Sequence, residues 1–241
     1  MSEARLYRIS ALASGFVRMW RGRRVIVPVV VVNAVVQALL VWPPFTYDTG
    51  WWTVTSAVLS ALAFGIAFGL VASTSLHVAD GPVSFPQAAS TLRAHLLSYA
   101  LWALAWLLAV SVGLVLNTVP GLIVAALTPF LLLAALDGHA NALGRNLRTL
   151  GRRFWRWLLT VAIIGIVLLV GDLSAGLFTF FTRNPLASLV VWLIGGLVLA
   201  WFTTAWALIY RSAWAEPVEA AESVPDPEPS PEVTADEPAT T

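Results

Sequence analysis

Nearly unbroken apolar runs about as long as a bilayer is thick recur six times along the chain, at 25–42, 52–78, 95–116, 119–136, 155–181 and 186–210. A helix needs about 20 residues to cross a hydrocarbon core of about 30 Å, so each run is near or above spanning length. The pattern predicts an all-α polytopic membrane protein with six transmembrane helices, the third and fourth joined by a tight turn at 117–121. The first run follows Arg18, Arg21, Arg23 and Arg24 as a secretory signal core follows its charged start. It is longer than such a core, ends in Val-Trp-Pro-Pro without a small-x-small cleavage site, and is followed by five more runs, so it is expected to be a retained anchor.

Polar positions between the runs are not random. Leu6, Ile9, Ala13, Phe16 and Trp20 step by three or four with Arg5, Arg8 and Arg18 off the stripe, which predicts a basic amphipathic cytoplasmic helix over 1–24. Ser84 and Gln87 have capping-box spacing with Pro86 in the first turn, ahead of Leu92 and Arg93. Leu143, Leu147 and Leu150 form one face of a further segment while Arg145, Arg148 and Arg152 form another. Asp80-Gly81 and Asp137-Gly138 punctuate comparable places. The chain therefore reads either as three parallel repeats of a short interfacial amphipathic helix plus a transmembrane helix hairpin, or as a succession whose likeness is only local.

Charge gives the orientation. With the N-terminus inside, 13 of the 14 arginines face the cytoplasm and Arg183 alone lies outside, which predicts cytoplasmic termini and short outer loops at 43–51, 117–121 and 182–185. The net charge of +1 conceals an asymmetry: residues 1–214 carry 14 Arg against 5 acidic residues, whereas 215–241 carry 8 acidic residues and no basic one. The six-helix domain is thus expected over 25–214, followed by a disordered, acidic, Pro-rich tail over 215–241 that is attracted to the protein's own +9 inner face. Only 27 charged residues among 241, with 59% hydrophobic, exclude a water-soluble globule. The absence of cysteine excludes disulfides, thiolate metal sites and thiol chemistry, and the use of Arg to the exclusion of Lys points to a GC-rich bacterial genome.

Four groups of residues are candidates for function. Ala57, Ala61, Gly65, Gly69 and Ser73 recur at four-residue intervals, a small-residue face expected to pack closely on another helix of the bundle or on a second copy. Asp172 is an acidic residue deep within a run, about 22 Å up a core of about 30 Å, where an unpaired carboxylate costs several kcal/mol. It is a candidate ion-coupling residue with Arg183 as partner; reaching outer-leaflet water or capping a helix break is the structural alternative. Arg145, Arg148, Arg152, Arg153 and Arg156 precede the fifth run as a juxtamembrane basic helix expected to bind anionic headgroups or a partner. His77, Asp80, His95, Asp137 and His139 all fall at the inner ends of runs; they could meet in space, although nothing in the sequence makes them converge, and scattered polar residues are ordinary there. Trp102 and Trp106, at i and i+4 in the third run, face lipid or a neighbouring helix unless they wall a ligand site.

Asp137-Gly138 followed by Arg145 superficially suggests the motif of CDP-alcohol phosphotransferases, but the further aspartates that would hold two metals are missing between Asp137 and Asp172. The arginine series is not a voltage sensor, because its charges precede the apolar run instead of punctuating it. Gly-Pro-Val-Ser-Phe-Pro-Gln-Ala-Ala at 81–89 and Arg152-Arg153-Phe154-Trp155, in this plan of six runs, resemble six-span bacterial integral membrane proteins and, more distantly, the membrane domain that accompanies some glycerophosphodiester phosphodiesterases. The likeness covers about residues 1–212 and includes no catalytic domain, so it implies a fold and a bacterial cell-membrane location, not an activity. The function expected is non-catalytic: a basic cytoplasmic face contacting the bilayer's anionic lipid headgroups, a second copy or a membrane partner protein, for scaffolding or envelope homeostasis. A small transporter or transporter subunit using Asp172 is the alternative. Neither a cofactor nor a metal is expected, and nucleic acid is not an expected partner.

Overall fold

The computed structural model describes residues 3–41, 50–116, 118–181 and 185–214. The described residues are all-helical, in ten helices: α1 (Glu3–Arg21), α2 (Arg23–Val41), α3 (Gly50–His77), α4 (Phe85–Ala94), α5 (Leu96–Leu116), α6 (Thr118–Leu127), α7 (Leu131–Leu136), α8 (Ala142–Arg152), α9 (Phe154–Phe181) and α10 (Pro185–Ser212). By length and composition α2, α3, α5 and α10 can each cross a bilayer, and the described part of α9 is apolar as well. The chain is an all-α polytopic membrane protein. The expected loop residues 43–49, Asn117, Arg183 and the acidic tail from residue 215 lie outside the described residues.

The expected fourth run is not one helix. Pro129 supplies no backbone N–H, so the ladder stops after Leu127 and restarts at Leu131. Several of the groups at the break are met by side chains. The Trp157 indole N–H donates to Ala126 O at 2.8 Å, and the Thr128 hydroxyl donates to Val124 O at 2.6 Å. The Asn146 amide donates to Leu127 O at 2.8 Å while its oxygen accepts from Phe130 N at 2.9 Å. The Trp106 indole donates to the Thr128 hydroxyl at 2.8 Å, which gives that aromatic a structural place.

The packing follows the three-unit order of a short helix and two apolar stretches. Each short helix rests on the return stretch of the unit before it: α4 on α3, α8 on α7, and α1 on α10, which closes the ring. α10 also packs along α2 and α3. At the α2–α10 crossing, a Cβ on Gly196 would come within 2.7 Å of Val30, so only glycine allows the approach. α1 differs from the sequence pattern. The Trp201 indole donates to Leu12 O at 2.8 Å and Gly15 abuts Ala205, so α1 follows α10 as part of the bundle wall instead of resting beneath it. Phe16 and Trp20 of its expected apolar stripe face outward.

The small-residue stripe of α3 also divides. Gly69 lies against Leu92 and Tyr99, and Ser73 is fully buried. Ala57 and Ala61 are exposed, and no atom lies within 4 Å of a Cβ placed on Gly65, although its carbonyl accepts from the Tyr99 hydroxyl at 2.6 Å. The reason is helical geometry: four residues turn about 400°, so the stripe drifts by about 40° per step and its ends lie on nearly opposite faces. One neighbour cannot cover both.

Candidate functional site

The return stretches end together. The C-terminal ends of α3, α7 and α10 meet at the end of the bundle that carries the α1–α2 turn, α4 and α8, here called the basic end. Arg211, in the last turn of α10, pairs with Asp80 just past α3 and donates to Leu76 O at 2.9 Å. The Tyr210 hydroxyl donates to Asp137, the C-cap of α7, at 2.9 Å. His139 Nε2 lies 3.1 Å from the same Asp137 oxygen. Arg145 Nε reaches the Tyr210 hydroxyl at 3.4 Å.

Between these ends and the last turns of α4 lies an open cavity of about 440 Å³. Its wall includes His77, Asp80, Ser90, Thr91, His95, Asp137 and Arg211. Four of the five dispersed His and Asp residues thus line one space, and the fifth, His139, contacts Asp137. Proximity stops short of a metal centre: among the described residues no group of three or more His, Asp or Glu side chains could hold an ion.

The arginines of α8 and the start of α9 serve more than one purpose. A helix C-terminus leaves carbonyls without intrahelical donors, and cations there are favourable. Arg152 donates to Ala213 O at 2.9 Å and Arg153 to Ser212 O at 2.6 Å, closing the end of α10. The guanidinium carbons of Arg145 and Arg152 sit 3.2 and 4.1 Å from the Trp214 ring centre, and the Trp214 indole donates to the Thr149 hydroxyl at 2.9 Å. Arg148 is exposed, and Arg156 is half-buried.

α8 presents its faces in an order that reverses the soluble pattern. Asn146 and Thr149 are fully buried, while Leu143 and Leu147 are 41% and 50% exposed. The polar side serves the break between α6 and α7, and the leucines face away from the protein. Large apolar side chains lie outward beside arginines elsewhere at this end: Phe16, Val17 and Trp20 near Arg21, Arg23 and Arg24, and Phe85 on α4 with Arg93. Arg23 lies 5.4 Å from the Trp20 ring centre.

Asp172 lies on α9, and its side chain and its expected partner Arg183 lie outside the described residues. The sequence reading missed Asn146, Tyr210, Arg211 and Trp214 as parts of a site, and Ser90 and Thr91 as cavity wall. The signals were present in part. Arg211 is a cation in a helix's last turn, and Asn146 is an amide on a helix next to a proline-broken run. Farther from the basic end, the Gln37 amide donates to Ser60 O at 3.1 Å and accepts from the Ser60 hydroxyl at 2.6 Å, joining α2 to α3. Comparison with known proteins finds no matching family model, curated protein or solved structure.

Proposed function

We propose that this chain is a non-catalytic integral membrane protein of the bacterial cell membrane, with both termini cytoplasmic, whose basic end holds anionic lipid headgroups in a scaffolding or envelope-homeostasis role. One observation carries the reading: at that end exposed Arg21, Arg23, Arg24, Arg93 and Arg148 stand beside outward-facing Phe16, Trp20, Phe85, Leu143 and Leu147. Apolar side chains for the acyl boundary and cations for the headgroup layer, side by side, make an interfacial surface. Each such arginine adds about 1 kcal/mol of attraction to an anionic membrane. The 13-to-1 division of arginines supports placing this end inside and, with it, a count of six crossings in which α6 and α7 together make the fourth. The architectural resemblance to membrane domains that accompany glycerophosphodiester phosphodiesterases agrees with a supporting role.

The test is native mass spectrometry of the detergent-purified chain given phosphatidylglycerol or phosphatidylcholine. Preferential retention of phosphatidylglycerol, reduced when Arg21, Arg23 and Arg24 become Gln, is the expected result. Equal retention of the two lipids would overturn the lipid reading. An alkaline phosphatase fusion after Gly151 that is active in the periplasm would overturn the orientation.

A further inference from the structure

The cavity at the basic end has a chemistry of its own, opposite to that of the arginines around it. The hydroxyl donors of its wall are committed inside the protein. Ser90 and Thr91 both donate their hydroxyl hydrogens to Gln87 O, at 2.8 and 3.2 Å, which leaves their oxygen lone pairs as what they offer a ligand. His77 Nδ1 lies 2.8 Å from Ser73 O. A carbonyl only accepts, so Nδ1 carries the proton, and in that neutral tautomer Nε2 is an acceptor. One nitrogen of Arg211 is engaged by Asp80 and the Leu76 carbonyl together.

Charge points the same way. Two carboxylates, Asp80 and Asp137, and one guanidinium, Arg211, line the wall. Asp80 is matched by Arg211, whereas among the described residues Asp137 directly contacts only uncharged or imidazole groups, the Tyr210 hydroxyl and His139, with Arg145 reaching the far side of that hydroxyl at 3.4 Å. α3, α4 and α10 also end at this space, and helix C-termini carry partial negative charge. An anion would meet the two carboxylates and the hydroxyl oxygens. A bare metal ion would lack a set of three ligands among the described residues.

We propose that this cavity binds an organic cation bearing an ammonium or guanidinium group, with Asp137 as its counter-ion and Ser90, Thr91 and His77 Nε2 as acceptors for its N–H donors. Such a group brings several N–H donors and one positive charge to meet these acceptors. The cation has two sources at a membrane surface, a soluble amine or the ethanolamine headgroup of a lipid, and the chemistry is shared. The proposal is independent of the arginine rim, which would attract anions.

The experiment uses the full-length protein in detergent, with spermidine, phosphatidylethanolamine, sodium phosphate and zinc chloride as probes in separate titrations followed by calorimetry and native mass spectrometry. Binding of spermidine, of phosphatidylethanolamine or of both is expected, weakened about tenfold in Asp137→Asn and a few fold in Ser90→Ala, as expected for losing a charge partner and a hydrogen-bond acceptor. The asparagine still accepts from Tyr210, so its apo melting temperature serves as the folding control; if that variant fails to fold, Ser90→Ala with Thr91→Val replaces it. Arg148→Gln, away from the cavity, should leave these affinities unchanged. Binding of spermidine alone identifies a soluble amine, and of the lipid alone a headgroup. Tighter binding of phosphate, stoichiometric zinc lost in His77→Ala, no binding of either cation, or cation binding indifferent to the cavity substitutions would each overturn the proposal.

Discussion

Two arginine clusters of this protein look alike as sequence and differ in the structure. Arg21, Arg23 and Arg24 stand at the α1–α2 turn, and Arg145 to Arg153 precede α9; each is a basic stretch at the foot of an apolar run. The first three side chains are exposed beside Trp20. In the second, Arg145 and Arg152 lie over Trp214, and Arg152 and Arg153 close the carbonyls at the end of α10. The difference lies in what each cluster meets. α8 is placed against the end of a 28-residue helix whose last carbonyls need donors, whereas Gly22 of the α1–α2 turn lies against the Thr74 side chain and the arginines around it stay exposed. Juxtamembrane charge is thus left facing outward where nothing inside needs it and is a helix latch where something does.

The comparison can be broken first at α8's inward face. Asn146→Leu keeps nearly the same bulk but strands Leu127 O and Phe130 N in a buried break, so a loss of about 3 kcal/mol is expected, read as a large drop in melting temperature in detergent. A wild-type melting temperature would show that the break is not held by this amide. Trp214→Ala comes next. It removes two cation–π contacts and an indole hydrogen bond, and about 1–2 kcal/mol of stability should go with them. Phosphatidylglycerol retention should hardly change, and a strong fall in retention with unaltered stability would reverse the roles assigned to the two clusters.

The outer cluster should respond in the opposite sense. Arg23→Gln with Arg24→Gln is expected to weaken phosphatidylglycerol retention by about fivefold per residue, the equivalent of about 1 kcal/mol each, with stability within about 0.5 kcal/mol of the parent. Loss of folding on this change would erase the distinction. The smallest effect concerns the acidic tail, whose 8 negative charges follow Trp214 directly. Deleting 216–241 should raise phosphatidylglycerol retention modestly at low salt, with the gain fading as the Debye length falls to about 8 Å near physiological ionic strength. A gain that persists in high salt would point to something other than screened attraction.

Hydrophobic periodicity determined most of the architecture by itself. Apolar runs near spanning length must become helices in a bilayer, because no water is there to satisfy the backbone, and the all-α class and the order of short and long helices follow from that alone. The Asp80-Gly81 and Asp137-Gly138 stops were legible too, and Gly81 and Gly138 adopt the positive φ that only glycine takes easily. What tertiary structure decided was direction and company. Leu143 and Leu147 look like a core face and point outward, while Asn146 looks like a surface residue and is buried, because in a bilayer the scarce resource inside is a hydrogen-bond partner and the apolar side has lipid to meet. The stripe from Ala57 to Ser73 could not reveal its own drift around the helix without a neighbour to show which half is covered. The cavity is the clearest case. Its residues come from four segments between positions 76 and 211, and they share a wall only because α4, α7 and α10 all pack on α3 and bring these ends together.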